Sequence, residues 1–130
     1  MKLPAAIVLS LILISMFSLS WAQIEKKQSI TVNEFREMMK TDSNLVVLDV
    51  RNPQELKDKT LGHIEGVINI PVQVLESRIK ELDDYKDKDI AVICRSGRRS
   101  KIATEILLKY GFNAFNVEGG MIKYRATEKK

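Results

Sequence analysis

The chain has 130 residues, 45% of them hydrophobic, with 21 basic and 17 acidic side chains and a formal net charge of +4. That length allows one domain with a real core and excludes two. The charge is weakly positive with signs interspersed, which gives no electrostatic footprint for a nucleic-acid partner, and a single cysteine excludes an internal disulfide.

Residues 1–22 differ in composition from the rest. Lys2 is their only charge, Ala5 to Phe17 is mostly apolar, and Ser20-Trp21-Ala22 closes the stretch with small residues at both ends. The pattern predicts a secretory signal peptide cut between Ala22 and Gln23, and therefore a periplasmic protein with no stable membrane association after cleavage. An uncleaved anchor is the competing reading, because Leu3 to Ala22 is about the length that spans a bilayer; four serines and a proline thin that run. Loss of the segment removes Lys2 and no acid, leaving 20 basic and 17 acidic residues, a net charge of +3.

Residues 23–29 read as a loose polar leader. Thr31-Val32-Asn33-Glu34 has the form of a capping box, and Phe35, Met38 and Met39 follow at helical spacing as core positions. Leu45 to Val50 is a nearly continuous aliphatic run, which suits a strand buried on both faces. Asn52-Pro53-Gln54-Glu55 starts a second helix, with proline at the first helical position. Val67 to Ile70 is a short strand stopped by Pro71, and the apolar residues at 72, 75, 79 and 82 predict one helix over 72–82. Ile90 to Ile93 is another buried strand, ending at Cys94. From Ser100 onward Ile102, Ala103, Ile106, Leu107 and Tyr110 form an apolar helix face that Gly111 ends. Ala114 to Val117 is a further strand, Gly119-Gly120 leads into a short final helix, and 128–130 is a charged tail.

Strands alternating with helices predict an α/β fold with a parallel sheet covered on both faces. In such sheets ligands bind beyond the carboxyl ends of the strands, where Cys94 lies. The stretch Cys94-Arg95-Ser96-Gly97-Arg98-Arg99 is the candidate site. A loop entering a helix turns its amides inward, and that field stabilises a thiolate. Gly97 allows the tight turn. Three arginines at a helix start are unfavourable unless something negative occupies the site; a thiolate and an anionic substrate would supply that charge. A lone cysteine is more often an inert small hydrophobe, and an arginine cluster more often solvated surface. Their coincidence at a strand-to-helix junction favours chemistry. His63, the only histidine, and the Asp49–Arg51 pair read as structural rather than reactive, and no metal-ligand cluster is present in the sequence.

The six-residue stretch from Cys94 to Arg99 resembles the active-site loop of rhodaneses, sulfurtransferases that carry sulfur as a cysteine persulfide. Asp49-Val50-Arg51 with Glu55, the run Gly62 to Pro71, and Glu118-Gly119-Gly120 are similar to further signatures of that family. The likeness spans 30–127 and is nearest to small periplasmic rhodaneses of phage-shock type. Tyr124 departs from it, where many members carry tryptophan. The resemblance implies a rhodanese-like five-stranded parallel sheet with helices on both faces. It implies that Cys94 takes sulfur from thiosulfate and passes it to cyanide or a thiol acceptor. Arg95, Ser96, Gly97, Arg98 and Arg99 would bind the donor, no cofactor or metal is needed, and the expected state is a monomer or weak dimer.

Three rivals stand beside this expectation. A cysteine phosphatase or arsenate reductase of related fold would need arginine where Ser100 stands, in a loop one residue longer. A persulfide carrier would use the same cysteine for delivery to a protein partner. An inactive interaction module would have no need of Cys94 in an intact loop.

Overall fold

The computed structural model describes residues 2–8 and 27–129. The expected cleavage point between Ala22 and Gln23, and most of the segment before it, lie outside the described residues. Among those described, no helix is long and apolar enough to cross a membrane.

The elements are β1 (Ser29–Ile30), α1 (Val32–Thr41), β2 (Val46–Asp49), α2 (Pro53–Lys57), β3 (Ile68–Asn69), α3 (Val72–Leu75), a 3-10 helix (Glu76–Tyr85), β4 (Asp89–Ile93), α4 (Arg98–Lys109), β5 (Asn113–Val117) and α5 (Gly120–Ala126). They form one five-stranded sheet in the order β1-β5-β4-β2-β3, and every pairing is parallel. The expected five-stranded parallel sheet is present.

Side chains alternate across the sheet, as strand geometry requires, and the two faces hold two separate cores. On one, Leu48, Ile90, Val92 and Ala114 pack with Leu75, Leu82, Ala103 and Leu107 from α3, the 3-10 helix and α4. On the other, Ala91, Ile93 and Val117 pack with Phe35 of α1 and Met121 of α5, while Met38 and Met39 are partly buried against them. Cys94 continues the Ile90–Val92 register and belongs to the α4 side.

Four local expectations change. Ser29, read as leader, is a strand residue: β1 pairs with β5 in the register Ser29–Asn116 and Ile30–Val117. The segment expected as one helix over 72–82 is a single α turn followed by a 3-10 helix. With three residues per turn, positions i and i+3 eclipse, which suits the Arg78–Glu81 pair at 2.6 Å. On α4 the buried face is Ser100, Ala103, Thr104 and Leu107, whereas Ile102 and Tyr110 are exposed. The first capping box is half made. Thr31 Oγ1 accepts from the Glu34 amide at 3.1 Å, but the Glu34 carboxylate pairs with Lys27.

Candidate functional site

β4 delivers Cys94 to the carboxyl edge of the sheet, and the chain turns within three residues to start α4 at Arg98. Gly97 makes that turn with φ +97°, in the left-handed region, which costs other residues about 1–2 kcal/mol. Its amide donates to Cys94 Sγ at 3.1 Å. The sulfur also lies 3.3 Å from Ser100 Oγ.

The inward aim of the amides depends on α5. The amides of Met121 and Ile122 donate to the carbonyls of Cys94 and Arg95 at 2.8 and 3.0 Å. Those carbonyls are thereby held away from the sulfur, leaving the amide side of the loop to face it. The close approach requires glycine at 120, where an added Cβ would lie 2.5 Å from Cys94 O and 2.6 Å from Arg95 O.

Burial pushes the Cys94 thiol up. The Ser100 hydroxyl beside the sulfur and the amides of Ser100, Gly97 and Ser96 outweigh it, and the net direction is down from the ordinary thiol value. A helix start with converging amides stabilises a thiolate in this way.

The three arginines do not act alike. Arg99 is held bidentate by Glu55 of α2, with Nη1 and Nη2 at 2.7 and 2.8 Å from the carboxylate oxygens. The unfavourable charge at the α4 start is thus partly cancelled by protein, not left wholly for a substrate. Glu55 is in turn fixed by the Asn52 amide at 2.9 Å, and Arg99 leads the causes that lower its carboxyl to about 2. Arg95 and Arg98 are exposed. Arg95 borders a small recess with Arg51, Glu55, Asp58 and Leu61.

Beneath the loop, Arg51 and Asp49 form a buried ion pair, with Nη2 to Oδ2 at 2.7 Å. Arg51 Nη2 also donates to Gly62 O at 2.9 Å, tying the loop after α2 to the sheet. His63 is exposed, and its Nδ1 lies 3.3 Å from the Leu56 carbonyl; its geometry is that of a loop residue. Sequence reasoning placed Ser100 at the helix start and Gly120 in a family signature before the last helix, but gave neither a contact with Cys94 or its loop, and gave no role to Asn116. A polar residue two places after Ala114, on a strand face that is otherwise core, was the available signal for Asn116.

A family profile described as the rhodanese-like domain matches residues 31–127. The chain belongs to the rhodanese-like family. It is 32% identical over 102 residues to "Putative sulfurtransferase YtwF" of Bacillus subtilis (strain 168), covering 78% of this chain and 94% of that one. To "Putative sulfur carrier protein YrkF" of the same organism it is 38% identical over 93 residues, covering 71% of this chain and 48% of the relative; the rhodanese-like chain spans about half the length of that protein. Among solved structures, a rhodanese-related protein from Thermoplasma volcanium matches with a TM-score of 0.68 and 38% identity, over 79% of this chain and 95% of that one. Fold and family are those of proteins that transfer or carry sulfur.

Proposed function

We propose that the protein is a thiosulfate sulfurtransferase. The Cys94 thiolate attacks the outer sulfur of thiosulfate, a new S–S bond forms, and the bond to the sulfonate sulfur breaks with its electron pair leaving on sulfite. The persulfide then loses its outer sulfur to cyanide, giving thiocyanate, or to a thiolate acceptor, and Cys94 is restored as thiolate. This is covalent nucleophilic catalysis with loop dipoles stabilising the charge on sulfur. The observation that carries it is the Gly97 amide on Cys94 Sγ at 3.1 Å, at the start of a twelve-residue helix. Exposed Arg95 and Arg98 supply positive charge for the sulfonate oxygens of a compact dianion, which favours thiosulfate over a donor whose charge sits several bonds from its sulfur. Cys94 is only 1% exposed, so the slim terminal sulfur of the donor suits the approach better than a tetrahedral phosphate. We read the segment before residue 23 as an export signal and the site of action as the periplasm. N-terminal sequencing of the protein recovered from cells should begin at Gln23.

The direct test is steady-state thiocyanate formation from thiosulfate and cyanide. The wild-type chain should turn over and Cys94→Ser should not. A Cys94→Ser rate near wild type would sink the assignment. A second reading, persulfide delivery to a protein acceptor, is favoured by the likeness to a protein named as a sulfur carrier. Stoichiometric transfer without turnover would select it.

A further inference from the structure

On the α4 side of the sheet, three buried polar groups form a chain that contains a single hydroxyl proton. Cys94 Sγ lies 3.3 Å from Ser100 Oγ, and Ser100 Oγ donates to Asn116 Oδ1 at 2.6 Å. A serine hydroxyl has one proton and accepts through its lone pairs. With the amide oxygen facing it, that proton points to Asn116, and on its Ser100 side sulfur meets only a lone pair, while the Gly97 amide still donates to it from the loop. A thiol satisfies the lone pair by donating its S–H. A thiolate cannot.

The conflict is removed by turning one amide. Rotation of the Asn116 carboxamide by about 180° presents Nδ2–H to Ser100 Oγ, since a terminal amide torsion is broadly two-fold. Ser100 then accepts from Asn116 and donates to sulfur, and every group is satisfied with a thiolate in place. The proton lost from sulfur goes to solvent; Ser100 keeps its own. Among the described residues nothing else is bonded to Asn116 Nδ2, so the turn breaks no further bond.

The surroundings leave the side-chain torsion as the free coordinate. Asn116 is pinned in β5, its amide donating to Gln28 O at 2.8 Å and its Cα in register with Ser29 and Val92. The Ser100 carbonyl accepts from Thr104 Oγ1 at 2.7 Å. Cys94 and Ser100 are 1% and 0% exposed, so water offers them little alternative to the partners they have.

We propose that Asn116 is a positioning residue for Cys94: its carboxamide has two orientations, one that seats the thiol and one that, through the Ser100 hydroxyl, seats the thiolate. The inference deepens the sulfur-transfer reading and rests on it for its purpose, because the second orientation is the one from which Cys94 can attack. Charged groups near the loop act on the sulfur in both orientations. They are Arg95, Arg98 and Arg99 in or beside it, Asp49 and Arg51 below it, Glu55 on α2, Glu118 after β5, and exposed Lys101 and Lys123 on α4 and α5.

The test is the pH dependence of iodoacetamide alkylation of the full chain, in which Cys94 is the only cysteine. Asn116→Asp can only accept when ionised. It should hold the Ser100 proton away from sulfur and raise the alkylation midpoint by about one pH unit, a tenfold loss of thiolate at pH values well below the midpoint. Asn116→Leu neither accepts nor donates, which frees Ser100 to donate to sulfur, so its midpoint should equal the wild-type value or fall below it. In a Ser100→Ala background, Asn116→Asp should move the midpoint far less. Equal upward shifts in Asn116→Asp and Asn116→Leu, or an undiminished Asp effect without Ser100, would overturn the proposal. If Asn116→Asp does not fold, Asn116→Leu decides alone: a midpoint above wild type refutes the relay. No sulfur donor enters this experiment, so its outcome is separate from failure of persulfide formation.

Discussion

Gly120→Ala should both destabilise the protein and disable the loop. Gly120 has φ +56°, and an added Cβ would sit 2.5–2.7 Å from Cys94 O, Arg95 O and Arg95 C. The left-handed backbone costs alanine about 1–2 kcal/mol. The contacts are with backbone, so α5 must retreat, weakening the Met121 and Ile122 amide bonds to Cys94 O and Arg95 O, worth about 1 kcal/mol each. The expected total is about 3–4 kcal/mol. Gly111→Ala is the control, because Gly111 has φ +85° and no atom within 4 Å of the added Cβ; it should show only the backbone cost. Urea unfolding gives both energies, and alkylation of Cys94 against pH reports the loop. The midpoint should rise in Gly120→Ala as carbonyls swing toward sulfur, and stay put in Gly111→Ala. Equal costs for the two substitutions, with unchanged Cys94 reactivity, would refute the role given to α5.

Arg51→Met leaves the Asp49 carboxylate buried without its counter-ion and should cost about 3–5 kcal/mol; adding Asp49→Asn should recover part of that loss by chemical denaturation. Glu55→Gln removes the carboxylate that clamps Arg99 and should cost about 1 kcal/mol near neutrality, since the pair is partly exposed. Because Glu55 titrates at about 2 in the fold against an ordinary 4.5, its contribution is complete above pH 4.5 and fades as pH falls toward 2. The wild-type and Glu55→Gln stabilities should therefore converge across that window. Arg98→Glu should lower kcat/KM for thiosulfate by about 2 kcal/mol, roughly thirtyfold, and the loss should shrink in high salt because Arg98 is exposed.

Strand and helix order was legible because alternation and apolar runs are properties of side chains. What lay beyond the sequence was backbone-made. The short edge strand β1 joins the sheet through main-chain bonds such as Asn116 N to Gln28 O and Glu118 N to Ile30 O, which place little demand on side-chain type. The break after Leu75 escaped because the three-residue step from Ile79 to Leu82 fits an α-helix and a 3-10 helix alike. Cys94 and its loop could be found from residue types at a strand end. The fate of Arg99 could not, because its partner Glu55 is 44 residues earlier and only the packing of α2 against the loop joins them. Ser100 and Asn116 were hidden in the same way, 16 residues apart and joined across the α4–β5 contact.

The most direct test of sulfur transfer is the intact mass of the protein after thiosulfate alone, measured without reductant. The expected spectrum shows one added sulfur atom, removed by cyanide and absent from Cys94→Ser. An unchanged wild-type mass, with the thiol still free to alkylate, would contradict it.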